Sequence, residues 1–339
     1  MNAKPNLSNS TTSSNIPSSA WFALGLVSVG IAGLILAGCF PLQLAIMSVF
    51  LFAGPHNWVE FRYFLTRLPA RWGKLRGYFI TAMLGVWGLT LAFVALSIAT
   101  RTMGWTTTDW KMIQSLWNSA FILWILTLIV IRSHQPPRRD WFAAIPIGVA
   151  IMAVAWLFPE LFCLSLVYLH PWVGFWILDL EITRSRPKWS RVYRFFLVML
   201  PLLLLLLVWQ LQSSPEITPD GPVATRILRH SGADLLPMVS NRLLVATHVF
   251  LELLHYGVWL VAIPLVSNKI WMRLNPGIPI ARRSVAWRKG IAIALTAIAV
   301  AVVLLWGAFL IDYSIARDIY FTVAMVHVLA EVPFLLRAL

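Results

Sequence analysis

Three stretches of this chain repeat one arrangement, a histidine followed four residues later by a glutamate, each inside an oily run. They are "HNWVE" (His56 to Glu60), "HVFLE" (His248 to Glu252) and "HVLAE" (His327 to Glu331). In an α-helix an i, i+4 pair shares one face, one turn apart. His255 stands three residues past Glu252, so "HVFLELLH" lines its ionisable groups along a single stripe. His170 adds a fifth imidazole within an apolar run. A single histidine in a membrane helix is often only a hydrogen-bonding contact between helices. A glutamate there is costly enough to suggest function. Adhesion is a poor use for the whole set, and metal coordination accounts for it better. Neutral imidazole is a good ligand for Fe, Zn and Cu. A metal-bound histidine usually passes its other N–H to a carboxylate, which fixes the ring's tautomer and direction. His56, His170, His248, His255 and His327 are therefore the candidate ligands. Glu60, Glu252 and Glu331 are expected to orient them, on their own helix or a neighbouring one, or to act in proton transfer.

Many imidazoles and few acids suit a divalent metal, Fe2+ first, in a mononuclear non-haem site. Zn2+ is an alternative, with a glutamate as general base beside a bound water. A di-metal centre is another, because "ELLH" (Glu252 to His255) is the Glu-x-x-His element of di-iron bundles. Those bundles carry it twice and this chain once. Haem would leave the glutamates unexplained. No HExxH occurs, and the HxxHH clusters of membrane desaturases are absent as well.

The elements that must position these groups follow from composition. The chain has 339 residues, 59% of them hydrophobic and 12% charged. Soluble domains carry roughly 25% charge. The apolar residues fall in runs of about 20, the length that crosses a bilayer as a helix. The expected fold is all-α, a polytopic transmembrane bundle of about ten spans. The spans lie near 20–40, 42–65, 78–100, 113–131, 142–158, 161–180, 195–211, 243–266, 291–311 and 319–336. Residues 1–19 read as a disordered polar tail, and 20–339 as a single helical domain.

Charge supplies an orientation. Of 27 Lys and Arg residues, only Arg101, Lys111, Arg226, Arg229, Arg242 and Arg317 fall on one side of the alternating spans. The positive-inside rule makes the other side, with both termini, cytoplasmic. All five intramembrane histidines then sit on spans running inward, at overlapping depths near mid-bilayer. The net charge of +14 is placed to meet lipid headgroups, and no nucleic-acid partner is expected. The long outer loop, 212–241, holds a candidate surface helix. Trp105, Trp110, Trp141 and Trp189 fit an interfacial belt. His134 and His230 read as loop residues.

The stretch "GPHNWVE" (Gly54 to Glu60) resembles the Pro-His-Gly-x-x-Asp element of the membrane Brp/Blh family of bacterial β-carotene 15,15′-dioxygenases. Asn57 stands where that family has glycine, and Glu60 where it has aspartate. The resemblance covers these seven residues and the spread of histidines over several helices. It implies an iron-dependent split of a carotenoid, with His56 as a ligand and Glu60 as its support.

The expected function is an integral-membrane oxygenase or related oxidoreductase acting on a lipid-soluble small molecule, such as a carotenoid, isoprenoid or acyl chain. A site at mid-bilayer is most easily reached by a molecule already dissolved in lipid. The location is a multi-pass position in a bacterial inner membrane or its equivalent, among membrane lipids, with the oligomeric state left open. One rival is a transporter using His and Glu as a proton or cation relay. The other is a non-catalytic membrane scaffold.

Overall fold

A computed structural model describes residues 19–135, 140–267 and 277–338. The expected polar tail lies outside the described residues, except Ser19, which opens the first helix. Among the described residues the chain is helical and without strands. In order the helices are α1 (Ser19–Cys39), α2 (Pro41–Arg67), α3 (Arg76–Thr102), α4 (Thr107–Ser133), α5 (Ala144–Leu157), α6 (Pro159–Ser185) and α7 (Pro187–Leu211). There follow α8 (Gly221–His230), α9 (Asn241–Gly257), α10 (Ile263–Ser267), α11 (Val285–Ile311) and α12 (Tyr313–Ala338). A π-helical turn, Val258–Ala262, joins α9 to α10 into one rod, Asn241–Ser267. Pro264 has no N–H to offer the preceding turn, and the rod widens just before it.

Among the described residues eight helices are long and apolar enough to cross a bilayer: α1, α3, α4, α6, α7, the α9–α10 rod, α11 and α12. Each of the ten expected spans is a helix, but two fall outside that set. The 27 residues of α2 include His56, Glu60, Arg62 and Arg67, and α5 has only 14 residues.

Prolines set three of the tight reversals. Phe40, Phe158 and Arg186 each precede the proline that opens the next helix, with φ/ψ of −132/52, −136/64 and −142/59. Proline bars the residue before it from helical geometry, yet suits the first helical position, where its missing N–H costs nothing. One residue therefore turns the chain between α1 and α2, α5 and α6, and α6 and α7. Aspartate does the same work between α11 and α12, where Asp312 Oδ1 accepts from the Ile315 N–H at 2.9 Å.

Four helices form an inner ring in the order α2, α9, α6, α12, each packed on the next. They run in parallel. At one end Ser48 of α2 donates to Glu252 of α9 at 3.5 Å, and at the other Tyr63 of α2 donates to Glu181 of α6 at 3.1 Å. Tyr320 of α12 donates to the Ala53 carbonyl of α2, which aligns α12 with them. The α9–α10 rod is the most enclosed, 67% buried, against 11% for α11 on the rim. The remaining helices pad the ring: α1 and α7 against α9, α3 and α4 against α12, and α11 against α2.

The expected helix in the outer loop is α8. Its apolar face, Ala224, Ile227 and Leu228, turns inward onto α9, α12 and α2. The loop is pinned by Asn241, which exchanges hydrogen bonds with Ile217 at 2.8 and 3.0 Å. Trp189, read as an interfacial residue, is instead buried and stacks on Phe22 at 4.5 Å between ring centres.

Packing between α3 and α4 depends on one close approach. The Trp124 indole lies across Gly85, where an added Cβ would meet its Nε1 at 1.8 Å, and it donates to the Thr81 carbonyl at 3.0 Å. Gly85→Ala is expected to cost about 2 kcal/mol, as overpacking does. Gly88, one turn on, has open space around it, and Gly88→Ala should be neutral or stabilising by up to about 1 kcal/mol. Thermal melts of the two variants in detergent check this, and equal midpoints would contradict the packing.

Candidate metal centre

Each helix of the inner ring contributes one imidazole to its axis: His56 from α2, His170 from α6, His255 from α9 and His327 from α12. The ring centres of His56 and His255 are 5.6 Å apart, and those of His56 and His327 5.2 Å. His170 stands 4.5 Å from His255 and 5.1 Å from His327. The Nε2 atoms of His170 and His327 are separated by 3.2 Å. Two nitrogens bound to one ion at about 2.0–2.1 Å, at angles near tetrahedral, stand roughly 3.3 Å apart. Two overlapping groups have ligand atoms within 4.8 Å of one another: His56, Glu60, His255 and His327, and His170, His255 and Glu331. His255 belongs to both.

Local structure explains how the rings reach the axis. His56 follows Pro55, and its Nδ1 lies 3.1 Å from the Phe52 carbonyl, one turn back. A ring nitrogen held there is the protonated one, which turns Nε2 inward with no partner of its own. His255 fits because residue 174 is glycine: a Cβ there would meet its Nδ1 at 2.8 Å. The π turn begins three residues after His255, and such bulges commonly mark functional sites.

The test of fit is the state of the buried polar atoms. Among the described residues, His56 Nε2, both ring nitrogens of His255, His327 Nδ1 and both carboxylate oxygens of Glu60 are buried without a hydrogen-bond partner. Each such atom costs about 1–3 kcal/mol. His170 Nδ1 lies 3.1 Å from Glu331 Oε2, off the axis of a good hydrogen bond. A divalent cation at the axis would take one nitrogen from each ring, His56 Nε2 and one of the two on His255 among them, and offset the charge of the acids. The residues fit a metal.

The other expected site residues lie elsewhere. Glu331 serves His170 on a neighbouring helix rather than His327 on its own. His248 is outside the four-imidazole cluster, two turns along α9, with its ring 5.0 Å from His230 and 5.9 Å from Tyr168. Glu252 accepts from Tyr256 at 2.7 Å and from Ser48 at 3.5 Å, and it too lies outside the metal groups. His230, read from sequence as a loop residue, closes α8 over the same interior. Burial first, then the nearby charges of Arg317 and His248, hold its imidazole well below the ordinary histidine pKa. It is neutral at pH 7. Its position at the C-terminal end of the amphipathic helix α8 was the available signal.

The four imidazoles form the floor of a cavity of about 930 Å³ between α3, α4, α6, α9 and α12, roofed by α8. Ligand pockets for small molecules typically measure roughly 300–1,000 Å³. Phe93, Trp117, Phe121, Leu166, Met325 and Leu329 wall it. Glu252 and Tyr256 line it as well, whereas Glu60 and Glu331 lie one turn below the imidazoles, on the far side of the metal position. Beneath them Phe64 and Phe334 stack at 4.3 Å beside the fully buried Trp259. The pocket ends at the histidines.

No family model matches the chain, and no curated protein or solved structure matches it either. The geometry of the centre is what speaks to function.

The metal content of purified variants tests the assignment. His255→Ala, which removes the ligand shared by both groups, should lose nearly all bound metal. His248→Ala should keep the wild-type amount. Glu331→Gln should weaken metal binding about 10–100-fold, the usual loss when a ligand's supporting group is removed. Equal metal in the two histidine variants would contradict the four-imidazole centre.

Proposed function

We propose that the protein is an integral-membrane, metal-dependent oxidoreductase, with Fe2+ as the favoured ion and a lipophilic molecule as substrate. The observation that carries this reading is the meeting of four imidazoles from four helices on the floor of a deep apolar pocket. His56, His170, His255 and His327 would hold the ion, with Glu331 orienting His170 and Glu60 balancing charge from below. Bound there, iron supplies dioxygen chemistry. Among the described residues lining the cavity the carboxylates are Glu252 and, at the end away from the imidazoles, Asp318, so substrate would meet the centre through a largely apolar, aromatic passage.

Residues of this chain have definable parts in such a reaction. Tyr256 keeps its hydroxyl proton directed at Glu252, and its ring lies 4.6 Å from that of His56. The pair can hold or pass a proton beside the centre. The flat walls of Phe93, Trp117 and Phe121 suit a polyene and keep water out. Oxidative cleavage of a carbon–carbon double bond fits these parts, because both atoms of dioxygen end in the two carbonyl products and no further reductant is consumed. The resemblance around His56 points to the same reaction class. In this reading all ten long helices cross the membrane, α2 and α5 included, with both termini cytoplasmic, as the distribution of arginine and lysine favours. Zn2+ or a di-metal centre would use the same side chains, with His255 between two positions.

The pocket's closed floor favours an enzyme over a transport pathway. Iron-loaded protein in detergent, given a carotenoid under air, should form two carbonyl fragments, each carrying oxygen-18 from labelled dioxygen, and nothing without oxygen. Metal-loaded protein that leaves polyenes, isoprenoids and acyl chains intact, yet drives proton-coupled uptake in proteoliposomes, would overturn the reading in favour of a transporter.

A further inference from the structure

The end of the cavity away from the imidazoles holds a charge that the proposed reaction does not use. Arg317 of α12 lines the pocket and is only 5% exposed. A guanidinium keeps its charge at any relevant pH, and a buried charge without a partner is strongly unfavourable. Arg317 Nε is buried with no hydrogen-bond partner; the guanidinium is hydrogen-bonded only to the uncharged Tyr313 hydroxyl, and among the described residues no carboxylate forms an ion pair with it. Its neighbours are already neutralised: Arg226 pairs with Asp318, and Arg229 with Asp234 at 3.1 Å. Glu252 lies within electrostatic reach but forms no ion pair with Arg317 among the described residues, its oxygens accepting from Tyr256 and Ser48 instead. The Phe321 ring covers one face of the guanidinium at 4.6 Å. Nearby, His230 and His248 contribute imidazoles to the same wall.

We propose that this end of the cavity is an anion subsite, and that the substrate is an amphiphile whose carboxylate or phosphate head pairs with Arg317 while its chain runs down the aromatic wall to the imidazoles. The proposal shares its cavity with the proposed reaction and adds the class of substrate, but it does not require a metal. Geometry sets the spacing. Arg317 and His327 lie on one straight run of α12, and at 1.5 Å per residue they are about 15 Å apart. With C–C bonds of about 1.5 Å, an extended chain covers that span in on the order of a dozen carbons. The bond that meets the centre is therefore far from the head, and chain length measured from the anion selects it.

Binding by the full-length protein in a neutral detergent tests this. The probes are radiolabelled hexadecanoate, with hexadecyl phosphate, methyl hexadecanoate and hexadecanol as competitors. An anionic head should bind roughly tenfold more tightly than the ester or the alcohol, the size of a charge-assisted hydrogen bond in a buried site. Whichever anion competes better identifies the head as carboxylate or phosphate. Arg317→Gln should abolish the preference, and Arg317→Lys should keep part of it. Equal affinity of the wild-type protein for acid, phosphate and ester would overturn the subsite, whether or not the Gln variant folds. His327→Ala should retain the anion preference. A protein that prefers the anions yet takes up no metal when supplied with Fe2+ or Zn2+ would leave the subsite standing and remove the oxidoreductase reading instead.

Discussion

Buried polar atoms in the lipid-facing part of a protein must find partners within the protein, because no bulk water is there to supply them. That constraint governs the centre of this molecule. Four imidazoles and two carboxylates occupy the axis of the inner helical ring, and several of their atoms are unsatisfied by any described side chain. The surrounding architecture is arranged to bring them together: four parallel helices, a glycine that admits His255, and a π turn just beyond it. A cation there would take one nitrogen from each ring and offset the charge of the carboxylates.

The layering around that axis has functional consequences. Glu60 and Glu331 lie below the imidazoles, and the cavity lies above. Groups below can fix ring direction and balance charge without meeting a substrate, whereas Glu252 and Tyr256 face the pocket and can exchange a proton with what enters. The three His–Glu pairs look alike in sequence, yet they separate into two kinds of role once depth and direction are known. The cavity also has two chemically distinct ends, with imidazoles at the floor and the Arg317 guanidinium near the roof. The proposed amphiphile would lie there in one orientation.

Tight connections help to hold this register. Where Phe40, Phe158 and Arg186 precede proline, the chain reverses in one residue, which leaves little slack for neighbouring helices to slide. A slip of one residue would move an imidazole by about 1.5 Å along the axis and rotate it by roughly a quarter turn. The cluster would not survive that. Cross-helix ties at both ends, from Ser48 to Glu252 and from Tyr63 to Glu181, act in the same direction.

Much of this was legible in the sequence, because it depends on composition and local spacing. Runs of about 20 apolar residues predict membrane-length helices, and each of the ten expected segments is helical. The cost of burying His56, His170, His248, His255 and His327 singled them out as candidate ligands before their positions were known, and the i, i+4 rule placed Glu60, Glu252 and Glu331 each on the face of the histidine before it. What one dimension cannot carry is the direction of each helix face relative to its neighbours. His248 shares a stripe with His255, but two turns of rise carry it out of the cluster. Glu331, spaced to serve His327, reaches across to His170. The inward turn of α8, the partners of Glu252 and the isolation of Arg317 all depend on contacts between segments far apart in the chain, so tertiary packing alone decided them.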